Sequence, residues 1–394
     1  MTRLEQTLAR VRRNGAIGGG ALLALSVLLA VVTGAGAEQF LRSYLIGFMF
    51  WVGVALGSLA ILMLHHLTGG AWGLVVRRHL EAASRTMPFL TLAFLPIAIG
   101  VRALYIWARP EVMAADPILQ EKQLYLNVPF FLARAVIYFA VWNLLVYVIN
   151  RWSLEQDAGG RQPVGSERKF RQLSAPGLMA YGLTITFASV DWVMSLDPHW
   201  FSTIFGVLFM GAQALSAMAF AIVALAATSR YEPLEEIVEP SHFHDLGKLL
   251  FAFVMLWAYF SFSQFLIIWS GNLPEEIPWY VERLLGGWGT VALVVSIGSF
   301  VLPFLLLLSR DIKRNPVAIG TIAGLVLVVR VVDLIWMIAP RPGHHGFPIH
   351  WLDVTLPLAL GGLWLALFAR ELTRRRLLAV NDPYFEEVFA HGHH

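Results

Sequence analysis

Five ionisable side chains stand inside stretches otherwise apolar enough to dissolve in lipid: Arg102, Arg134, Asp191, Arg330 and Asp333. At the centre of a membrane helix such a group costs about 2.5–3.5 kcal/mol on insertion scales, so it is usually paired or lines a hydrated path. Arg102, Arg134 and Asp191 are expected at similar depth. That predicts a cluster in which a guanidinium keeps Asp191 ionised and one positive charge is left for an anion, a carbonyl dipole or water. Tyr181, Thr184, Ala188 and Asp191 follow one another at intervals of 3, 4 and 3 residues and so share one helix face. Tyr138 lies one helical turn from Arg134. A hydroxyl stripe leading to a carboxylate can pass a proton through water; the same charges can equally pin three helices together. His199, just beyond Asp191, is a candidate proton acceptor at the aqueous edge. Arg330 and Asp333 are spaced to pair on one helix face, first of all as a structural contact. Gln213, Tyr259, Ser263 and Gln264 add polar lining nearby, although hydroxyls in membrane helices commonly bond their own backbone.

The elements that must carry these groups are membrane helices. Of 394 residues, 57% are hydrophobic and 14% charged, too little polar surface to coat a water-soluble globule. Apolar stretches long enough to cross about 30 Å of hydrocarbon predict ten helices, near 16–33, 44–67, 87–107, 128–149, 175–195, 201–228, 243–269, 287–309, 317–338 and 352–369. Threaded alternately, one side collects 21 basic residues and the other 5, from Arg42, Arg109, Lys122, Arg283 and Arg341. By the positive-inside rule both termini are expected in the cytoplasm, and all five buried charges then fall in the outer half of the membrane. The fold class predicted is an all-α integral membrane protein. Helices 2–5 (44–195) and 6–9 (201–338) form two four-helix bundles of like topology, helices 1 and 10 flank them, and 370–394 is a cytoplasmic tail.

Smaller features fit around this frame. The basic start and the A-x-A pattern at Ala35–Ala37 resemble a cleavable signal, but the apolar run, about 18 residues, is longer than usual, so a retained first helix is expected. "WGLVVRRHLEAASR" suits a helix lying on the cytoplasmic surface, and 150–174 reads as a long solvated loop. Asp197–Pro198 fits an N-cap and first turn for helix 6, and Asp353 a carboxylate at the dipole end of helix 10. Gly53–Gly57 and Gly320–Gly324 are spacings that let helices approach closely.

Cysteine is absent, which excludes a Cys-ligated cluster, a CxxCH haem attachment and any disulfide in this chain. His65 and His66 could face His242 and His244 at one membrane edge, but no histidines pair across helix interiors, so haem b is not expected. His344, His345 and His350 fit a solvated loop better than a metal site. Gly18–Gly20 lack the context of a nucleotide-binding loop, and the terminal HGHH is given no role.

The segment "ASVDWVMSLDPHWFSTIFG" (188–206) resembles the integral membrane subunits of alternative complex III, a quinol:electron acceptor oxidoreductase. The likeness extends through "FHDLGKLLFAFVMLWAYFSFSQFLIIWSGNLPEEIPWY" (243–280) and "NPVAIGTIAGLVLVVRVVDLIW" (315–336). Size and helix number are similar to the smaller (ActF) type of its two polysulfide-reductase-like, or NrfD-like, subunits. The resemblance implies two four-helix bundles in a bacterial inner-membrane complex. The implied partners are multihaem and monohaem cytochrome c subunits, an iron-sulfur subunit, a larger NrfD-like sister and small membrane subunits. It implies quinol oxidation by the complex, with quinone or quinol as the one cofactor this chain would touch. Asp191 falls inside the matching segment; Arg102 and Arg134 lie outside it.

The expectation is therefore a cofactor-free subunit in which Arg102, Arg134, Tyr138, Tyr181, Thr184, Asp191 and His199 form a proton path or quinone pocket. A purely structural scaffold is the first alternative. An independent transporter is the second, disfavoured because no pair of broken helices marks a midplane site.

Overall fold

A computed structural model describes residues 2–160, 168–341 and 349–386. Among these, ten helices are long and apolar enough to cross a membrane: α1 (Arg3–Thr33), α2 (Ala37–Thr68), α3 (Leu74–Ile99), α4 (Val128–Ala158), α5 (Arg168–Leu196), α6 (Phe205–Thr228), α7 (Pro240–Gly271), α8 (Trp288–Leu308), α9 (Pro316–Ile338) and α10 (Leu352–Thr373). We call the face with the start of α1 and the end of α10 the terminal face, and the opposite one the far face.

The most enclosed helices, α2 and α6, pack on each other and form the core seam. Their approach depends on Gly57, where a Cβ would stand 2.2 Å from the Gln213 carbonyl oxygen, so the Gly53–Gly57 spacing is a true close contact. Of the second spacing, Gly320 sits close to Ala226, whereas a Cβ at Gly324 would meet open space. Two glycines not read from the sequence as packing positions do the same work for α1: Gly15 and Gly19 lie directly on Gly362 and Ala359, which seats α1 along α10. Around the seam, α5 packs on both α2 and α6, and α4 packs on α5 and α3; α7 and α9 pack on α6, and α8 on α9.

Several boundaries move for physical reasons. The third helix runs over 74–99 and not 87–107, because its first turns are buried and not laid on the surface: Arg77, Arg78 and Glu81 are 0%, 2% and 0% exposed. Charge matching makes that affordable. Arg77 pairs with Glu81 and Asp382, and Arg78 with Glu81 and Asp157, so no ion is left alone. The chain then breaks at Gly100 into the short helix Val101–Leu104. The described residues of 150–174 are mostly helical, since α4 continues to Ala158 and α5 begins at Arg168. The described part of the C-terminal tail is docked: Arg375 reaches Glu81 at 3.4 Å, Asp382 reaches Arg77 at 2.5 Å, and Asn381 donates to the carbonyls of Gln156 and Asp157. Asp197 does not cap the sixth helix, which starts at Phe205 after an irregular turn; it ends the short 3-10 turn Met194–Leu196. Asp353 sits as expected in the first turn of α10, accepting from the Ser43 hydroxyl at 2.5 Å and the His350 N–H at 2.9 Å.

Candidate functional site

Asp191 and Arg134 meet as anticipated. The last turns of α5 and the first of α4 both lie at the far face, which brings the two side chains to one depth. Arg134 Nε and Nη2 donate to the two carboxylate oxygens, each at 2.8 Å, and the Tyr138 hydroxyl adds 2.7 Å to Oδ2. Arg134 Nη1 donates to the Tyr125 carbonyl at 3.1 Å, and its guanidinium is stacked 3.9 Å from the Tyr125 ring centroid and 4.5 Å from that of Phe130. Asp191 is 0% exposed. Behind it Trp192 packs among Phe48, Phe94, Phe139 and Trp142. Both carboxylate oxygens are thus occupied and aromatic rings close the space around them.

The remaining members of the expected cluster do not converge there. Arg102 is exposed, beyond the break at Gly100, and makes no side-chain ion pair among the described residues. Its predicted place depended on an unbroken helix through 107, and the surplus positive charge disappears with it. The hydroxyl stripe is not connected: Tyr181 donates to Gln213 on α6 at 2.8 Å, and Thr184 receives the Trp142 indole at 2.8 Å while donating to the Ala180 carbonyl. His199 faces Asp116, with 2.6 Å between Nε2 and Oδ2, in the far-face loops and not Asp191. Partial burial pushes the Asp116 carboxyl up. The hydrogen bonds from His199 and from the N–H groups of Leu119 and Ile118 more than offset this and leave it below its ordinary value.

A second constellation lies among α6 to α9. There a cavity of about 630 Å³ is bounded by Trp257, Tyr259, Gln264, Ala292, Val295, Phe300, Asp333 and Trp336, and by Trp279 and Tyr280 of the short far-face helix Ile277–Leu284. This volume suits a drug-sized ligand, and an apolar lining with a few convergent polar groups is the usual character of such sites. Arg330 and Asp333 do pair, through Arg330 Nη1 and Asp333 Oδ2, and both are buried. Asp333 differs from Asp191 in one respect: it lines the cavity, and its Oδ1 accepts no hydrogen bond among the described residues. The Trp257 N–H and Gln264 Oε1 are also buried and unpartnered, at about 1–3 kcal/mol each if nothing satisfies them. The Tyr280 hydroxyl is pushed up to about 12, mainly by burial.

Of the other candidates, Tyr259 is 65% exposed at the cavity rim. Ser263 is half-buried outside the lining, where Ser261 takes its place, and Gln213 belongs to the α5–α6 contact. His344, His345 and the terminal HGHH lie outside the described residues, and no group of three or more potential metal ligands occurs among the described ones.

The cavity was not legible as such in the sequence. In the sequence Trp279 and Trp336 fit an interfacial aromatic belt as readily as a cavity wall, and 287–309 is a plain apolar run. The available signal was Pro303: lacking an N–H, it cannot close the ordinary turn onto Ser299, and Ile297–Val301 winds as a π-helix, a feature frequent at functional sites. In comparisons with known proteins, no family model matches the chain and no curated protein matches it.

Proposed function

We propose that this chain is a membrane subunit of a bacterial respiratory quinol oxidoreductase complex of the alternative complex III kind, and that it holds a quinone or quinol in the α6–α9 cavity. The observation that carries the reading is one cavity lined by a buried donor, the Trp257 N–H, and a buried acceptor, Gln264 Oε1, neither with a hydrogen-bond partner among the described residues, together with Asp333, which gives Arg330 only its Oδ2. A quinone ring offers carbonyl acceptors, and a quinol offers hydroxyl donors, to such a set within an aromatic enclosure. Asp333, held by Arg330, is the acceptor for a quinol hydroxyl proton, while the electrons leave to the redox centres of partner subunits.

The α2–α5 group takes the other role, a rigid bundle pinned by Arg134 and Asp191 on which the cytochrome c, iron-sulfur and sister membrane subunits assemble. The packing of α2 to α5 and of α6 to α9 supports two four-helix bundles, with α1 and α10 flanking. The excess of basic residues on the terminal face supports cytoplasmic termini and an outward-facing cavity.

Tryptophan quenching by ubiquinone and menaquinone analogues, titrated into the purified protein in nanodiscs, tests the site. Saturable quenching is expected, weakened about tenfold in Gln264→Ala and in Trp257→Phe, as loss of one hydrogen bond of about 1.4 kcal/mol requires. Quenching that never saturates, or that ignores both substitutions, removes the quinone reading and leaves the scaffold.

A further inference from the structure

The cavity has an open side. From Ile297 to Leu308, α8 packs on α7; from Trp288 to Ser296 it packs on α9 and on Ile277–Leu284 and scarcely touches α7. The two helices therefore part at the π-helical turn and diverge toward the far face. Below the parting point the ring of Phe304 packs on those of Phe251 and Phe300, at 5.5 and 5.4 Å, and joins α7 to α8. Above it, one lip carries Tyr259 and Phe262, 65% and 62% exposed, and the other carries exposed Ser296. All three also line the cavity, whereas Gln264 and Asp333 on the inner wall are 2% and 4% exposed. The α7 lining, from Met255 to Phe265, spans about 15 Å along the helix axis at about 1.5 Å per residue.

We propose that this gap is a lateral portal to the lipid layer, and that the natural occupant is a ring with a long apolar chain, the ring held at Gln264 and Asp333 and the chain leaving between α7 and α8. The inference rests on the reading of the cavity as a quinone site and adds the route of access and the need for a chain. Both lips and the stretch between them lie within membrane-spanning helices, so what meets the opening is hydrocarbon. A water-soluble substrate has no approach through it, while a molecule already dissolved in lipid reaches the polar wall without crossing the headgroups. The polar groups lie at the inner wall and the exposed apolar ones at the lips, which is the order an amphipathic molecule entering ring-first requires.

The absence of cysteine makes a clean test. Ser296→Cys is labelled with a bulky maleimide in nanodiscs, with Val328→Cys on the exposed side of α9 (63% exposed) as the control. Binding of a quinone bearing a long isoprenoid chain and of its chainless analogue is then compared. In the unlabelled protein the chained quinone is expected to bind at least tenfold more tightly. The adduct at 296 should weaken it at least tenfold, and the chainless analogue and the 328 adduct should show little change. Equal binding of both quinones, with no effect of the adduct at 296, overturns the portal while leaving the ring site standing. Loss of both ligands equally with that adduct also overturns it, since the position then acts on the ring. Failure of both quinones to bind the unlabelled protein removes the ring site and the portal together.

Discussion

Replacing Asp191 by Asn separates a structural pin from a chemical group. The substitution keeps the shape but removes the charge that two nitrogens of Arg134 address at 2.8 Å, and it leaves that guanidinium, 7% exposed, without a counter-ion. Two unit charges about 4 Å apart at an effective dielectric of about 20 attract by about 4 kcal/mol, and breaking one partner out of a buried pair costs about 3–5 kcal/mol. The new amide NH2 also faces a donor, either Arg134 Nη2 or the Arg134 Nε and Tyr138 hydroxyl together. Asp191→Asn should therefore lower unfolding stability in mixed SDS micelles by about 3–5 kcal/mol, and Arg134→Met by a similar amount. The double variant Arg134→Met with Asp191→Leu removes both ions at nearly constant volume and should recover most of the loss, giving a coupling energy of about 3 kcal/mol or more. The same double variant should still assemble and support turnover. If Asp191→Asn instead stays within about 1 kcal/mol of wild type yet abolishes turnover, the carboxylate handles protons and is not a structural pin.

Two further outcomes follow from the terminal and far faces. Asp382→Ala deletes a charged hydrogen bond to Arg77 in the docked tail but leaves that arginine its contacts with Glu81 and Gln156, so a loss of about 1.5–3 kcal/mol is expected, with faster tryptic cleavage at Arg374–Arg376. On the far face, Asp116 joins its own helix cap to His199. Its carboxyl lies below the ordinary value in the folded protein, so the contribution is complete above the unfolded value of about 4 and is lost as pH falls through the still lower folded one. Melting curves of wild type and Asp116→Asn should differ at pH 6 and converge as pH falls below about 4; curves that stay equally separated at all pH values would remove this link.

Where the sequence could be read, it was because one physical constraint acted alone. Apolar runs gave the number of helices and the place of all but the third, which was found only in part; depth counted from helix ends placed Arg134 beside Asp191, and helical spacing placed Tyr138 with them and paired Arg330 with Asp333. Illegible features needed partners distant in the chain or a change of helix geometry. Arg77 and Arg78 look like surface residues until Asp157 and Asp382 are brought beside them. Arg102 looks buried until the helix stops at Gly100. His199 looks like a neighbour of Asp191 along the chain, but the loop turns it toward Asp116. The cavity comes from the divergence of α7 and α8, a property of neither segment by itself, and its tryptophans serve equally well as belt residues in a one-dimensional reading.

The contrast between the two arginine–aspartate pairs carries the functional argument further than either does alone. Both lie toward the far-face ends of their helices and both are buried, so depth and burial cannot distinguish their roles. Lone pairs can. Asp191 spends both oxygens on Arg134 and Tyr138, so another proton donor must first break a contact that holds α4 to α5. Asp333 is paired within its own helix through one oxygen, which costs no tertiary contact to disturb, and leaves the other oxygen in a cavity. A group that must gain and lose a proton repeatedly needs a neighbour that keeps it ionised and a free edge that a substrate can meet. Only the second pair has both, which supports the proposal of fixation among α2–α5 and exchange among α6–α9.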